Sequence, residues 1–180
     1  MKKVFVGGSR RISRLNPDLR RRLDQIIQNR LTVLVGDANG ADKAVQAFLR
    51  DRRYPDVSVF CTGGVCRNNL AAWPVTAVAP PHRSHDFEYF GAKDAAMAQE
   101  ADFGLMLWDG QSAGTLVNVA RLVASGKQVV LYIAPEKRFV TLRSRTELGQ
   151  ILSASPPEVR RRVEGYVSAH SLGHVQTRMF

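Results

Sequence analysis

Apolar residues recur along the chain in two alternating rhythms. Short runs at residues 2–6, 31–35, 57–60, 103–108 and 128–133 are mostly apolar and too brief for helices, the pattern of strands covered on both faces. Between them the apolar positions fall three and four residues apart. Leu19, Leu23, Ile26 and Ile27 predict a helix over residues 17–29, with Asn16 as its cap and Pro17 in its first turn. Ala41, Ala44, Val45, Phe48 and Leu49 mark a second helix, and Phe87, Phe90, Met97, Ala98 and Ala101 a third over 87–101. Residues 113–124 form a fourth, closed by Gly126.

Strands alternating with helices predict an α/β fold: a Rossmann-like three-layer sandwich with a mostly parallel central sheet. The rhythm fails over residues 62–85, where glycines, prolines and Trp73 dominate and only 75–79 reads as a short strand. Residues 1–135 are expected to form the domain itself. Residues 136–180 are expected to pack on it as a helical extension, with an edge strand at 139–142 and short helices at 144–152 and 157–169.

With 44% hydrophobic and 23% charged residues in 180, the composition allows a proper core. No apolar run approaches the roughly 18–20 residues that span a bilayer, so no membrane partner is expected. The basic start Met1-Lys2-Lys3 leads into an apolar stretch that breaks at Gly7, too short for a signal-peptide core. The expected location is the cytoplasm. Cys61 and Cys66 are the whole thiol inventory and cannot complete a zinc site; His82 and His85 lie 16 or more residues further on. Reduced, partly buried thiols are expected, and neither a metal nor a cofactor.

The net charge of +10 is unevenly spread: +7 over residues 1–60, −3 over 61–120 and +6 over 121–180. Such a surface attracts nucleic acid or any phosphate ligand, and reads equally as a solvated face. The triplets Arg20-Arg21-Arg22 and Arg160-Arg161-Arg162 both fall inside helical patterns.

Ligands of parallel α/β sheets bind beyond the carboxyl ends of the strands, and three such ends carry unusual turns. In the first, Gly7 and Gly8 let the backbone approach a ligand, Ser9 offers a hydroxyl, and Arg10 can grip a phosphate in bidentate fashion. The second runs from Gly36 and Asp37 through Gly40 to Asp42 into a helix start. Its amides suit an anion, while its aspartates suit a sugar hydroxyl or base edge, or simply cap the helix. The third, Asp109, Gly110, Ser112, Gly114 and Thr115, puts small residues and hydroxyls at another helix start, a phosphate cradle without the lysine of a P-loop. Asp94 falls on or beside the apolar face of the third helix, next to Lys93, and needs a partner or a ligand there.

Together and in this order the three turns resemble the SLOG superfamily, Rossmann-like domains that include the DNA-processing protein A fold and the Lonely Guy phosphoribohydrolases. The likeness is nearest to its small stand-alone bacterial members. It is carried by Gly8-Ser9-Arg10, by Gly36-Asp37 with Gly40-Ala41-Asp42, and by Lys93, Met97, Ala101-Asp102, Trp108-Asp109-Gly110, Ser112 and Gly114-Thr115. It covers roughly residues 2–135 and not the tail. The resemblance implies a nucleotide pocket built by these turns, without fixing a reaction. Where the phosphoribohydrolases carry an arginine and a glutamate, this chain has Lys93 and Asn118. Lysine lacks the fork geometry of arginine, and asparagine is neither nucleophile nor general base.

The expected function is therefore that of a sensor or binding module for a nucleoside phosphate, sugar-nucleotide or ADP-ribose-like molecule. Gly8, Ser9, Arg10, Ser112, Gly114 and Thr115 would hold phosphate, and Asp37 and Asp42 the sugar or base. One alternative is a nucleotide N-glycosidase releasing free base, with Asp94 as acid beside Lys93. Another is nucleic-acid binding through the basic ends. Helix-mediated pairing into a homodimer is also expected.

Overall fold

The computed structural model describes residues 1–80 and 87–176. The elements follow one another as β1 (Lys3–Gly8), α1 (Pro17–Gln28), β2 (Thr32–Gly36), α2 (Ala41–Asp51), β3 (Val57–Thr62), β4 (Val75–Val78), α3 (Phe87–Glu100), β5 (Phe103–Trp108), α4 (Ala113–Ala124), β6 (Gln128–Ile133), β7 (Arg138–Leu142), α5 (Arg145–Ser153) and α6 (Pro157–Gln176). His82, His85 and the side chain of Phe87 lie outside the described residues.

The strands form one sheet in the order β4-β3-β2-β1-β5-β6-β7. All neighbours are parallel except β7, which runs antiparallel to β6. Helices cover both faces, so the molecule is a Rossmann-like α/β sandwich. Successive side chains of a strand point to opposite faces, and β1 shows the consequence. Val4 and Val6 pack with Leu19 and Leu23 of α1 and Val45 and Leu49 of α2. Phe5, between them, packs with Met97 of α3 and Leu116 of α4 on the other side. Burying each such side chain contributes about 1.5–3 kcal/mol.

Local chemistry sets the boundaries. Asn16 Oδ1 accepts a hydrogen bond from Leu19 N at 2.9 Å, which starts α1. Ser112 caps α4, and Ser144 with Glu147 makes a capping box on α5. β1 runs two residues beyond the expected 2–6 because Gly7 and Gly8 still pair with Met106 and Leu107 of β5. The last helix is longer than the expected 157–169 and continues to Gln176 through Gly173, a residue whose cost within a helix is only about 1 kcal/mol. It packs on α4 through Val159 and Val163. No helix among the described residues is long and apolar enough to cross a membrane.

The chain leaves β1 toward β2 on one side, while β5 borders β1 on the other. The strand order therefore reverses between β1 and β5. A crevice opens above their carboxyl ends, where open α/β sheets bind ligands.

Candidate functional site

At the end of β1 the backbone is pressed onto β5. Ser9 N donates to Leu107 O at 2.9 Å, and a Cβ on Gly8 would overlap that same carbonyl. The second turn locks onto the first: Ala41 N donates to Ser9 O at 3.1 Å. Gly40 adopts φ +82° with its α-carbon against the Arg10 backbone, so a side chain there is excluded by both conformation and space.

The third turn is tied to the first by a carboxylate. Asp109 Oδ1 accepts from Gln111 N at 3.0 Å and Ser112 N at 2.7 Å, and the Ser9 hydroxyl also hydrogen-bonds this carboxyl. Burial would raise the Asp109 pKa, but these donors outweigh it and hold the group below the usual range. Ser112 Oγ in turn accepts from Thr115 N at 3.3 Å and Thr115 Oγ1 at 3.0 Å. These hydroxyls shape the turn. The amides left without an intrahelical acceptor are those of Ala113 and Gly114, and both residues line the crevice.

The crevice holds a cavity of about 550 Å³. Phe5, Gly7 and Gly8 line its base, and Ser9 to Arg11 and residues 111–115 its rims. The Arg10 guanidinium lies 5.4 Å from the centre of the Phe90 ring, over which Arg67 also stands at 5.4 Å. Phe90, Lys93 and Asp94 enter from α3, Asn118 and Arg121 from α4, and Arg162 from α6.

A buried charge cluster lies beside the cavity. Lys93 Nζ, almost wholly buried, stands 3.0 Å from Asp94 Oδ1, 3.6 Å from Asp42 Oδ2 and 3.8 Å from Asp37 Oδ1. Burial alone would favour a neutral amine, but the three carboxylates outweigh it and raise the pKa, so Lys93 stays charged. Burial acts on Asp94 in the opposite sense and is overcome by Lys93, by the Asn118 amide and by Arg121, which hold this carboxyl below its ordinary value. For Asp42 burial prevails over the attraction of Lys93, and its pKa is pushed up to about 6.

Asn118 connects this cluster to the last helix. Its Nδ2 donates to Asp94 Oδ2 at 2.9 Å, and its Oδ1 accepts from Arg121 Nη1 at 2.7 Å. An amide suits the position because one side faces a carboxylate and the other a guanidinium. Arg121 Nε then donates to the Tyr166 hydroxyl at 2.8 Å.

Of the residues anticipated from sequence, Gly7, Gly8, Ser9, Arg10, Asp42, Lys93, Asp94, Asp109, Ser112, Gly114 and Thr115 line the cavity, whereas Gly36, Asp37, Gly40 and Gly110 do not. Asp37 is held by the Arg67 fork, with Nε at 3.0 Å and Nη2 at 2.8 Å, and by Arg67 N at 3.0 Å. Burial would raise its pKa, yet Arg67 lowers it on balance. That carboxylate is occupied, so a contact from Asp37 to a sugar is not what the geometry provides. Gly110 takes φ +84° beside Pro135, shaping the third turn from behind. Asp94, ionised at neutral pH, has no proton to give as a general acid.

The 62–80 stretch contributes no lining residue among those described. It is fastened instead by Gln46, whose Nε2 donates to Gly36 O at 2.8 Å and Asn68 O at 3.2 Å, and whose Oε1 accepts from Leu70 N at 3.1 Å. Cys61 is buried, Cys66 is partly so, and both are free thiols. Burial and the contact with Cys61 push the Cys66 thiol up to about 12, so it is a poor nucleophile. Among the described residues no group of His, Cys, Asp or Glu is placed to hold a metal ion. In the first basic triplet, Arg20 Nε donates to Leu15 O, Arg21 pairs with Asp18, and Arg22 lies over the Phe139 ring.

No protein-family model matches the chain, and a comparison with curated proteins gives no match either.

Proposed function

We propose that the chain binds a nucleotide or nucleotide-derived ligand in the β1/β5 crevice, as a sensor or binding module. One observation carries the reading. The open amides at the start of α4 and the Arg10 turn border the same cavity at the point where strand order reverses. The charges support an anionic ligand: five basic and three acidic side chains line the cavity among the described residues. Each of the three carboxylates already accepts hydrogen bonds from the protein. The SLOG resemblance, carried in part by residues that line this cavity, supports the same assignment, and we take membership of that superfamily as part of the proposal.

Calorimetric titration with AMP, GMP, ADP-ribose and a uridine diphosphate sugar tests it. At least one is expected to bind with a Kd near the micromolar range, about −8 kcal/mol. Arg10→Ala is expected to weaken that binding about tenfold or more, as loss of a charge-assisted phosphate contact does. Absence of saturable binding by the whole panel at about 1 mM overturns the reading.

A second reading, a nucleotide N-glycosidase, draws on one feature. Asp94 is an ionised carboxylate on the cavity wall, fixed from both sides by Lys93 and Asn118. In that chemistry it would stabilise the positive charge that develops on the sugar, rather than donate a proton. Release of free base from a nucleotide, lost in Asp94→Asn, would favour it; intact nucleotide after prolonged incubation leaves the binding role alone.

A further inference from the structure

One cation on the cavity wall, Arg121, is not accounted for by the turns, and the tail helps to hold it. Arg121 lies on α4 six residues beyond Thr115, so its α-carbon is about 9 Å further along the helix axis. Helical side chains lean back toward the N-terminus, which brings the guanidinium nearer the α4 amides than that figure. Two neutral acceptors fix it: the Tyr166 hydroxyl takes Nε at 2.8 Å and Asn118 Oδ1 takes Nη1 at 2.7 Å. The guanidinium also stands 4.8 Å from the Tyr166 ring centre. Neither hydrogen-bond partner is charged, so these contacts orient the cation, and Asp94 is the carboxylate that shares its field.

The remaining nitrogen, Nη2, faces Gly91 of α3. A Cβ on Gly91 would come to 3.3 Å from Nη2, and both residues line the cavity. Glycine at 91 therefore makes room for the guanidinium itself on the cavity wall. Asp42 and Asp94 line the same cavity as Arg121 and the Arg10 turn.

We propose that Arg121 forms a second anion subsite, so that the ligand is a nucleotide with two phosphates separated by its sugar. This rests on the nucleotide-binding reading above and narrows it. The first phosphate meets the α4 amides and Arg10, the second meets Arg121, and the sugar joins the two. A guanidinium held in place before binding loses little entropy when the anion arrives, which favours discrimination at this subsite.

Titration with AMP and with adenosine 3′,5′-bisphosphate, repeated with the guanine pair, tests the proposal. The bisphosphate is expected to bind at least tenfold tighter than the monophosphate. Arg121→Gln should bring it down to the monophosphate level while changing monophosphate affinity less than threefold. Gly91→Leu, which keeps the charge but pushes the guanidinium from its position, should have the same selective effect if Arg121→Gln does not fold. A bisphosphate that binds no tighter than the monophosphate overturns the second subsite and leaves the nucleotide reading intact. Equal weakening of both ligands by the variants overturns it as well. If neither nucleotide binds, both readings fall together.

Discussion

Lys93 Nζ stands in space that any side chain on Gly36 would fill. A Cβ built on Gly36 would overlap this ammonium and Asp42 Oδ2 at once. The glycine sits at the end of β2, outside the cavity, with an ordinary backbone conformation, so its role is steric. It gives the buried lysine and its carboxylates room to meet.

Gly36→Ala is therefore expected to destabilise the fold by about 2–4 kcal/mol, between overpacking a core and breaking a buried ion pair. Denaturant melts should show a lower midpoint with an unchanged slope. Under the nucleotide-binding proposal, ligand affinity should fall too, because Lys93 and Asp42 line the cavity. A variant within about 0.5 kcal/mol of the parent would mean that the cluster tolerates displacement.

The raised pKa of Asp42 has a directional consequence. Its carboxyl titrates near 6 in the folded chain and near 3.8 when unfolded. As pH rises between those values, the unfolded chain releases the proton first, so this group's contribution to stability declines. Asp37 and Asp94, held below 3.8, act the other way: their stabilisation is complete above that value and is lost as pH falls through their folded pKa values. The difference between parent and Asp42→Asn isolates the first effect. Asn cannot titrate, so the variant should gain on the parent between pH 4 and pH 7 by up to about 3 kcal/mol. A flat difference across that range would show that Asp42 is not perturbed.

Asn118→Asp tests the bridge between α3 and α4. The new carboxylate would still accept from Arg121 but would face Asp94 in place of an amide donor. Like charges at that range favour protonation of one of them. A loss of about 1–3 kcal/mol at neutral pH is expected, from an unmade hydrogen bond and the repulsion. That loss should shrink toward pH 4. A deficit independent of pH would instead indicate a packing defect.

Much of this was legible because apolar runs end at sharp chemical boundaries. β5 and α4 have the bounds expected, since Asp109 and Gly110 stop the strand and Ser112 caps the helix. The turn residues at 7–10 and 109–115 stood out by composition, and most of them line one cavity. Asp37 was conspicuous too, but its partner Arg67 lies 30 residues on, in a stretch without periodicity. Side chain-to-backbone bonds from Gln46, Asn69 and Trp73 organise that stretch, and such bonds leave no rhythm in a sequence. Arg121 and Arg162 were hidden differently. One reads as the polar edge of an apolar helix, and the other disappears into a basic triplet.

The fastening by Gln46 makes the final prediction. This side chain is fully buried on α2 and satisfies three backbone groups: Gly36 O, Asn68 O and Leu70 N. Gln46→Ala leaves them without partners in a dry site, and each unmade bond costs about 1–3 kcal/mol. Gln46→Leu keeps the volume but loses the same bonds, so both variants should destabilise by about 3 kcal/mol or more. The damage should be local first. Hydrogen exchange is expected to accelerate over residues 66–73 before it does in β1 or β5, because the loop loses its ties while the sheet keeps its own. If Gln46→Leu matches the parent in stability and in exchange, packing alone holds the loop. If only Gln46→Ala is impaired, volume rather than hydrogen bonding is what Gln46 supplies.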